Sequence, residues 1–165
     1  MKHQNSTALA EQSTPAERAE LLKLRGMFGT PQHDAAIKKL KRVCADRPAW
    51  ALPWRLHIQG LLAGRQPMQA YEIAIEALAS CGGDPWLRLL HAKCAGAVGD
   101  TDEEFKILQS LRSDDASNSH ATLRLAEIHL DRGDRVNARA LMAEITAPPK
   151  QPALRLKTLR LISKL

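Results

Sequence analysis

The sequence predicts an all-α fold, an array of helical hairpins, on three observations. The first is composition: the 165 residues hold 25 Ala and 24 Leu against 3 Val, 8 Ile and 6 aromatics. Ala and Leu lose least on entering a helix, whereas sheets draw on β-branched and aromatic side chains, so a β-rich fold is excluded. The second is a period: Gly29, Gly64, Gly99 and Gly133 stand 35, 35 and 34 residues apart. The third is that each of these glycines is followed closely by a helix-start signal, which makes each the expected left-handed residue of a tight turn between two helices.

Taken in order, Thr14-Pro15-Ala16-Glu17 reads as a capping box opening a helix over 14–28. After Gly29, Thr30-Pro31 opens a helix over 31–46, and Arg47-Pro48 breaks it. A helix over 50–64 places Pro53 in its first turn, where a missing N–H costs nothing. Gln66-Pro67 opens 67–81, and Cys81-Gly82-Gly83-Asp84-Pro85 separates it from 84–98. Beyond Gly99, Thr101 with Glu104 forms a second expected capping box, opening 101–113. The break from Ser113 to Ser119 leads to 118–132, Gly133-Asp134 to 134–147, and Pro148-Pro149 to a last helix over 151–165. Eight helices pair into hairpins at about 14–48, 49–83, 84–117 and 118–149. Residues 1–13 form a polar lead expected to be disordered, and residues 150–165 form a basic amphipathic cap carrying Leu154, Leu156, Leu159, Leu161, Ile162 and Leu165.

The pattern resembles tetratricopeptide repeats. Residues 119–149 carry Leu125-Ala126, His129, Gly133-Asp134, Ala138 and Pro148 where that family places Leu-Gly, an aromatic, Gly, Ala and Pro. Residues 50–85 fit through Trp54, Ile58, Leu61, Gly64, Ala70, Ala74, Ala77 and Pro85. The unit from Trp86 keeps Ala92, Ala95 and Gly99 but has Glu104 and Phe105 where a small residue is usual, and the first unit keeps Leu21-Leu22, Gly29, Ala35 and Pro48. The resemblance implies a right-handed α-solenoid of four hairpins with a C-terminal capping helix, because a single hairpin cannot bury its apolar face alone. It also implies a concave groove lined by the first helix of each hairpin. The family's carboxylate-clamp residues, paired Lys and Asn, are missing, which argues against a role gripping chaperone tails.

Charge is uneven: net +4 over residues 1–47, −3 over 48–147 and +5 over 148–165. Such asymmetry marks distinct contact surfaces or simply solvated helix faces. No apolar run reaches the roughly 18–20 residues needed to span a bilayer, and the N-terminus lacks the apolar stretch of a signal peptide, so a cytoplasmic protein with no membrane partner is expected. Cys44, Cys81 and Cys94 are odd in number and lack CxxC spacing, as reduced, mostly buried thiols would.

Phosphate-binding, nucleophile-elbow and metalloprotease motifs are missing, so neither a cofactor nor enzymatic activity is expected. His91 and Cys94, three apart, could face one way with Cys81 and His57 nearby, but without a second paired motif the set reads as core and surface rather than metal site. Asp100, Asp102, Glu103, Glu104, Asp114 and Asp115 read as capping residues and a solvated or partner-facing acidic surface. A basic patch comprises Lys38, Lys39, Lys41, Arg42, Arg155, Lys157, Arg160 and Lys164. No aromatics interleave with it, which argues against nucleic acid. Counting back from each turn glycine gives groove candidates Lys23, Trp54, Arg55, Gln59, Trp86, Lys93, His120 and Glu127, with Trp54 and Trp86 alternatively serving the core. The function expected from these is a scaffold or chaperone-like adaptor binding a peptide or helix of another protein. The alternatives are an accessory subunit or fragment of a larger enzyme or secretion system and RNA binding through the basic ends. Self-association is left open by the complementary basic end and acidic middle.

Overall fold

The computed structural model describes residues 13–145 and 152–164. Among these residues the chain is all-helical: α1 Pro15–Gly26, α2 His33–Asp46, α3 Ala51–Ala63, α4 Pro67–Cys81, α5 Pro85–Ala97, α6 Thr101–Asp114, α7 Ser119–Asp131, α8 Arg135–Ala143 and α9 Pro152–Ile162. Each falls on an expected helix, and most ends differ by one or two residues. The expected polar lead, except Ser13, and the Pro148-Pro149 break lie outside the described residues. The chain forms two compact units, Met1–Gly99 and Asp100–Leu165, and the boundary falls in the turn of the third expected hairpin. In the first unit α1, α3 and α5 lie side by side, with α2 and α4 packed between successive members of that row. In the second, α7 packs against both α6 and α8, and α9 lies on α7.

Local chemistry sets the helix starts. Thr14 Oγ1 accepts from Glu17 N–H at 3.2 Å while Thr14 N–H donates to Glu17 Oε2 at 2.7 Å, the reciprocal capping box read in the sequence. The same reading fails at Thr101. There Asp100 is the cap, its carboxylate accepting from Glu103 N–H at 3.0 Å, and Glu104 turns inward. Asp84, Asn118 and Asp134 cap α5, α7 and α8 in the same way.

The turns correct the glycine register. Gly99 and Gly133 are left-handed as expected, with φ of 91° and 79°, but between α3 and α4 the left-handed residue is Arg65, φ 57°, and Gly64 is not. Arg65 N–H donates to the Leu62 carbonyl and Gln66 N–H to that of Leu61, and Gly133 and Asp134 repeat this pair of bonds on Leu130 and His129. The turn residues 65, 99 and 133 are therefore 34 residues apart twice over. The space beside Gly64 is taken by the imidazole tip of His33, whose Nε2 would lie 2.6 Å from a Cβ there. At Gly60 it would sit 2.4 Å from Ile37 Cδ1 and 2.9 Å from the Phe28 ring, so these two glycines let α3 approach the first hairpin.

The first unit's core joins Cys44, Trp54, Ile58, Leu61, Ala70, Ala74, Ala77, Leu87 and Cys94, with a neighbouring cluster of Leu21, Leu24, Ala36, Leu40, Trp50 and Leu56. Pro53 is buried in the first turn of α3. All three cysteines are free, Cys44 and Cys94 buried and Cys81 half-buried. Burial pushes the thiols of Cys44 and Cys94 up to about 12 and that of Cys81 to about 11, so none is a thiolate near neutral pH.

His57 on α3 is buried, and its Nδ1 makes no hydrogen bond. Burial, and secondarily Lys41, pulls its pKa down to about 4 from 6.5. The unfolded chain takes up this proton first, so stability is full above pH 6.5 and declines as pH falls toward 4. The loss by about pH 5, where most carboxylates are still ionised, is about 2 kcal/mol. His57→Leu is predicted to flatten the decline between pH 7.5 and about 5 in urea melts followed by tryptophan fluorescence. Parallel declines in both proteins would remove His57 as its source.

Candidate functional site

The candidate surface in the first unit is the face that α3 and α5 present side by side. Residues 86, 89 and 93 recur at helical spacing on α5, as do 55 and 59 on α3, so each set lies on one side of its helix. Arg55 pairs with Asp84, which also caps α5 by accepting from Leu87 N–H at 2.9 Å. One carboxylate thus fixes both the start of α5 and its seat beside α3. Trp86, one residue inside α5, is 46% exposed; Lys93 is exposed, and Gln59 and Leu89 are half-buried.

Counting from the true turn residues gives one register. Lys23, Gln59, Lys93 and Glu127 each lie six residues before the positive-φ residue that follows its helix, at Gly29, Arg65, Gly99 and Gly133. In the first unit this register places Lys23, Gln59 and Lys93 in a row on adjacent α1, α3 and α5.

Trp54 does not belong to this surface. Its ring is 3% exposed in the core, and its indole N–H donates to the Pro48 carbonyl at 2.8 Å. The alternative expected for Trp54, a core residue at the repeat's large-residue position, is the one its burial supports. Arg55 is also spoken for by Asp84. Leu89 was missed, and the 34-residue period would have found it, since it matches Arg55.

The second unit carries its charges differently. Glu104, on α6, is 2% exposed, and Arg124 of α7 grips it with two parallel bonds, Nε to Oε1 at 2.6 Å and an Nη to Oε2 at 2.9 Å. Arg124 also bonds Glu127 Oε2 at 3.1 Å, and Lys157 of α9 reaches that oxygen at 2.9 Å. Glu104 therefore departs from the solvated acidic surface expected of its cluster: it occupies a small-residue packing position because Arg124 on the facing helix neutralises it. Beside this pair Phe105 meets His129 edge-on with centroids 5.4 Å apart, and Arg132 lies 4.9 Å above Phe105 while bonding Asp102 at 2.7 Å. His120 is half-buried.

Lys38, Lys39, Lys41 and Arg42 are exposed on α2, where Lys39 pairs with Glu20 of α1. Arg155, Arg160 and Lys164 are exposed on or beside α9. His91 and Cys94 do not converge with other ligands. His91 packs against Tyr71 with ring centroids 5.0 Å apart, Cys94 lies in the core, and among the described residues no three His, Cys, Asp or Glu are placed to share a metal. No described helix is long and apolar enough to cross a membrane.

Helical hairpins stacked with this turn spacing define an α-solenoid of the tetratricopeptide-like class. The crystal structure of MamA, a tetratricopeptide-repeat protein, is similar, with a TM-score of 0.62 and 14% identity over 80% of this chain and 85% of that one. At that identity the likeness is one of fold. No family model matches the chain, and no curated protein matches it.

The Glu104–Arg124 pair yields a stability prediction. Arg124→Leu strands a buried carboxylate and is expected to lose about 2–4 kcal/mol, Glu104→Leu leaves the half-buried guanidinium with Glu127 and loses less, and the double leucine variant recovers much of the Arg124→Leu loss. A double-mutant cycle by chemical denaturation, read by circular dichroism, checks this. Additive losses would show that the pair is energetically idle.

Proposed function

We propose that this chain is a non-enzymatic protein-interaction module whose α3–α5 face holds a segment of another protein. The observation that carries the reading is Trp86, a large aromatic with nearly half its surface exposed, on the same side of α5 as Lys93, which shares its register with Gln59 of α3. Exposed tryptophan combines a large apolar area with low entropy cost and is enriched among residues that dominate interfaces. Lys23 and Lys93 make the row cationic, so the segment carries carboxylates opposite them and an apolar side chain against Trp86. The similarity in fold to MamA supports a scaffold of this kind. Membership of the tetratricopeptide family and a cytoplasmic location belong to the same reading.

Arg55 is not the residue to mutate, because removing it unpairs the cap of α5. Trp86→Ala with Lys93→Glu leaves Arg55 and Asp84 intact. It is expected to weaken a partner recovered with the full chain from nuclease-treated lysate by at least tenfold in titration calorimetry, with an unchanged circular-dichroism melt. Unchanged affinity in a folded variant would move binding off this face.

A further inference from the structure

Helix α9 differs from the helices that follow a hairpin in the first unit. In the first unit α3 packs against both α1 and α2, and α5 against both α3 and α4. After the α7–α8 hairpin, α9 packs on α7 and makes no comparable contact with α8. Its ammonium Lys157 meets Glu127, the residue in the register that Lys93 and Gln59 hold on the candidate face of the first unit. In the second unit that register is therefore covered by the chain's own basic helix.

The cover is partial. Of α9's leucines and isoleucine only Leu161 is buried, at 3% exposed, while Leu156, Leu159 and Ile162 are 51%, 65% and 56% exposed. Clefts of about 480 and 460 Å³ remain beside it, sharing Glu127, Leu161 and Lys164. The first is also lined by Arg124, Leu130, Asp131 and Arg135, so beside α9 there remains a polar cleft of mixed charge that the helix does not fill.

We infer that α9 is a replaceable occupant of the α7 face, and that this face takes a basic amphipathic helix of a partner protein, which displaces α9. The chain's own helix sets the partner's chemistry: the Lys157–Glu127 pair and buried Leu161 call for an apolar side chain with lysine or arginine one turn before it. Release of α9 also exposes Leu161, so opening and recognition are coupled through one seat. The inference does not rest on the α3–α5 face, and none of the variants below touches it.

The test uses the full chain and, as probe, a fluorescein-labelled peptide with the sequence of residues 152–164. An in-chain competitor lowers the apparent affinity for the same helix by the fraction of molecules in which it is seated. Leu161→Asp is expected to unseat α9 and tighten peptide binding at least tenfold over the wild type in fluorescence anisotropy, and Glu127→Lys added to it to weaken binding again at least tenfold. Equal binding by wild type and Leu161→Asp, or no binding by a folded Leu161→Asp chain, overturns the proposal. If Leu161→Asp does not fold, hydrogen exchange of the wild type decides. The proposal requires α9 amides to exchange at least 100-fold faster than those of the α7 interior, and matching rates overturn it.

Discussion

Close approach of helix axes, made possible by residues with almost no side chain at the crossing points, is the constraint on which the rest depends. Ala36, Ala70, Ala74 and Ala77 in the first unit, and Ala121, Ala126 and Ala138 in the second, have no exposed surface at all. Helices pack at 8–10 Å only when the contact residues permit it, and a hairpin whose axes were pushed apart would lose the dispersion contacts of every leucine around them. Gly60 carries the constraint furthest, since its missing Cβ is the space filled by Ile37 and Phe28. The α3–α5 face is a product of the same packing: Arg55 reaches Asp84 because those two helices are close neighbours.

The two units meet this constraint with different chemistry. The first relies on an apolar core around Trp54, Ile58 and Leu87 and accepts a buried neutral histidine within it. The second admits a carboxylate, Glu104, into a packing position and compensates with a bidentate arginine. A buried pair of this kind seldom adds stability over apolar residues of similar shape, but it penalises any arrangement that separates the partners. The pair thereby ties α6 to α7, while Glu127 passes the same chain of charges on to Lys157 of α9.

Nearly all of the helices were legible in the sequence because their signals are local: Thr14 with Glu17 and Pro67 and Pro85 at first positions each act within one turn. What was not legible depended on longer range. Gly64 looked like the turn residue, since glycine is the default at positive φ, yet the 34-residue period is kept by Arg65 and Gly64 answers to His33 of another helix. Ten residues before Gly64, Trp54 shares a register with Leu89, whereas by the 34-residue period Leu89 matches Arg55 and Trp54 lies in the core. Glu104 was misread for a similar reason. A run of four acidic and hydroxyl residues at a helix start signals capping, and only the position of Arg124, twenty residues on, reveals that one carboxylate faces inward.

The central claim is tested most directly by enlarging an alanine at a crossing point and comparing it with an exposed alanine on the same helix. Ala74 and Ala79 both lie on α4, the first fully buried and the second exposed, so leucine at either position changes helix propensity alike. All three tryptophans are in the first unit, so their fluorescence during urea unfolding reports the unit concerned. The account predicts that Ala74→Leu loses about 2–3 kcal/mol or abolishes the cooperative transition, and that Ala79→Leu stays within about 0.5 kcal/mol of the wild type. Equal stabilities for the two variants would contradict it.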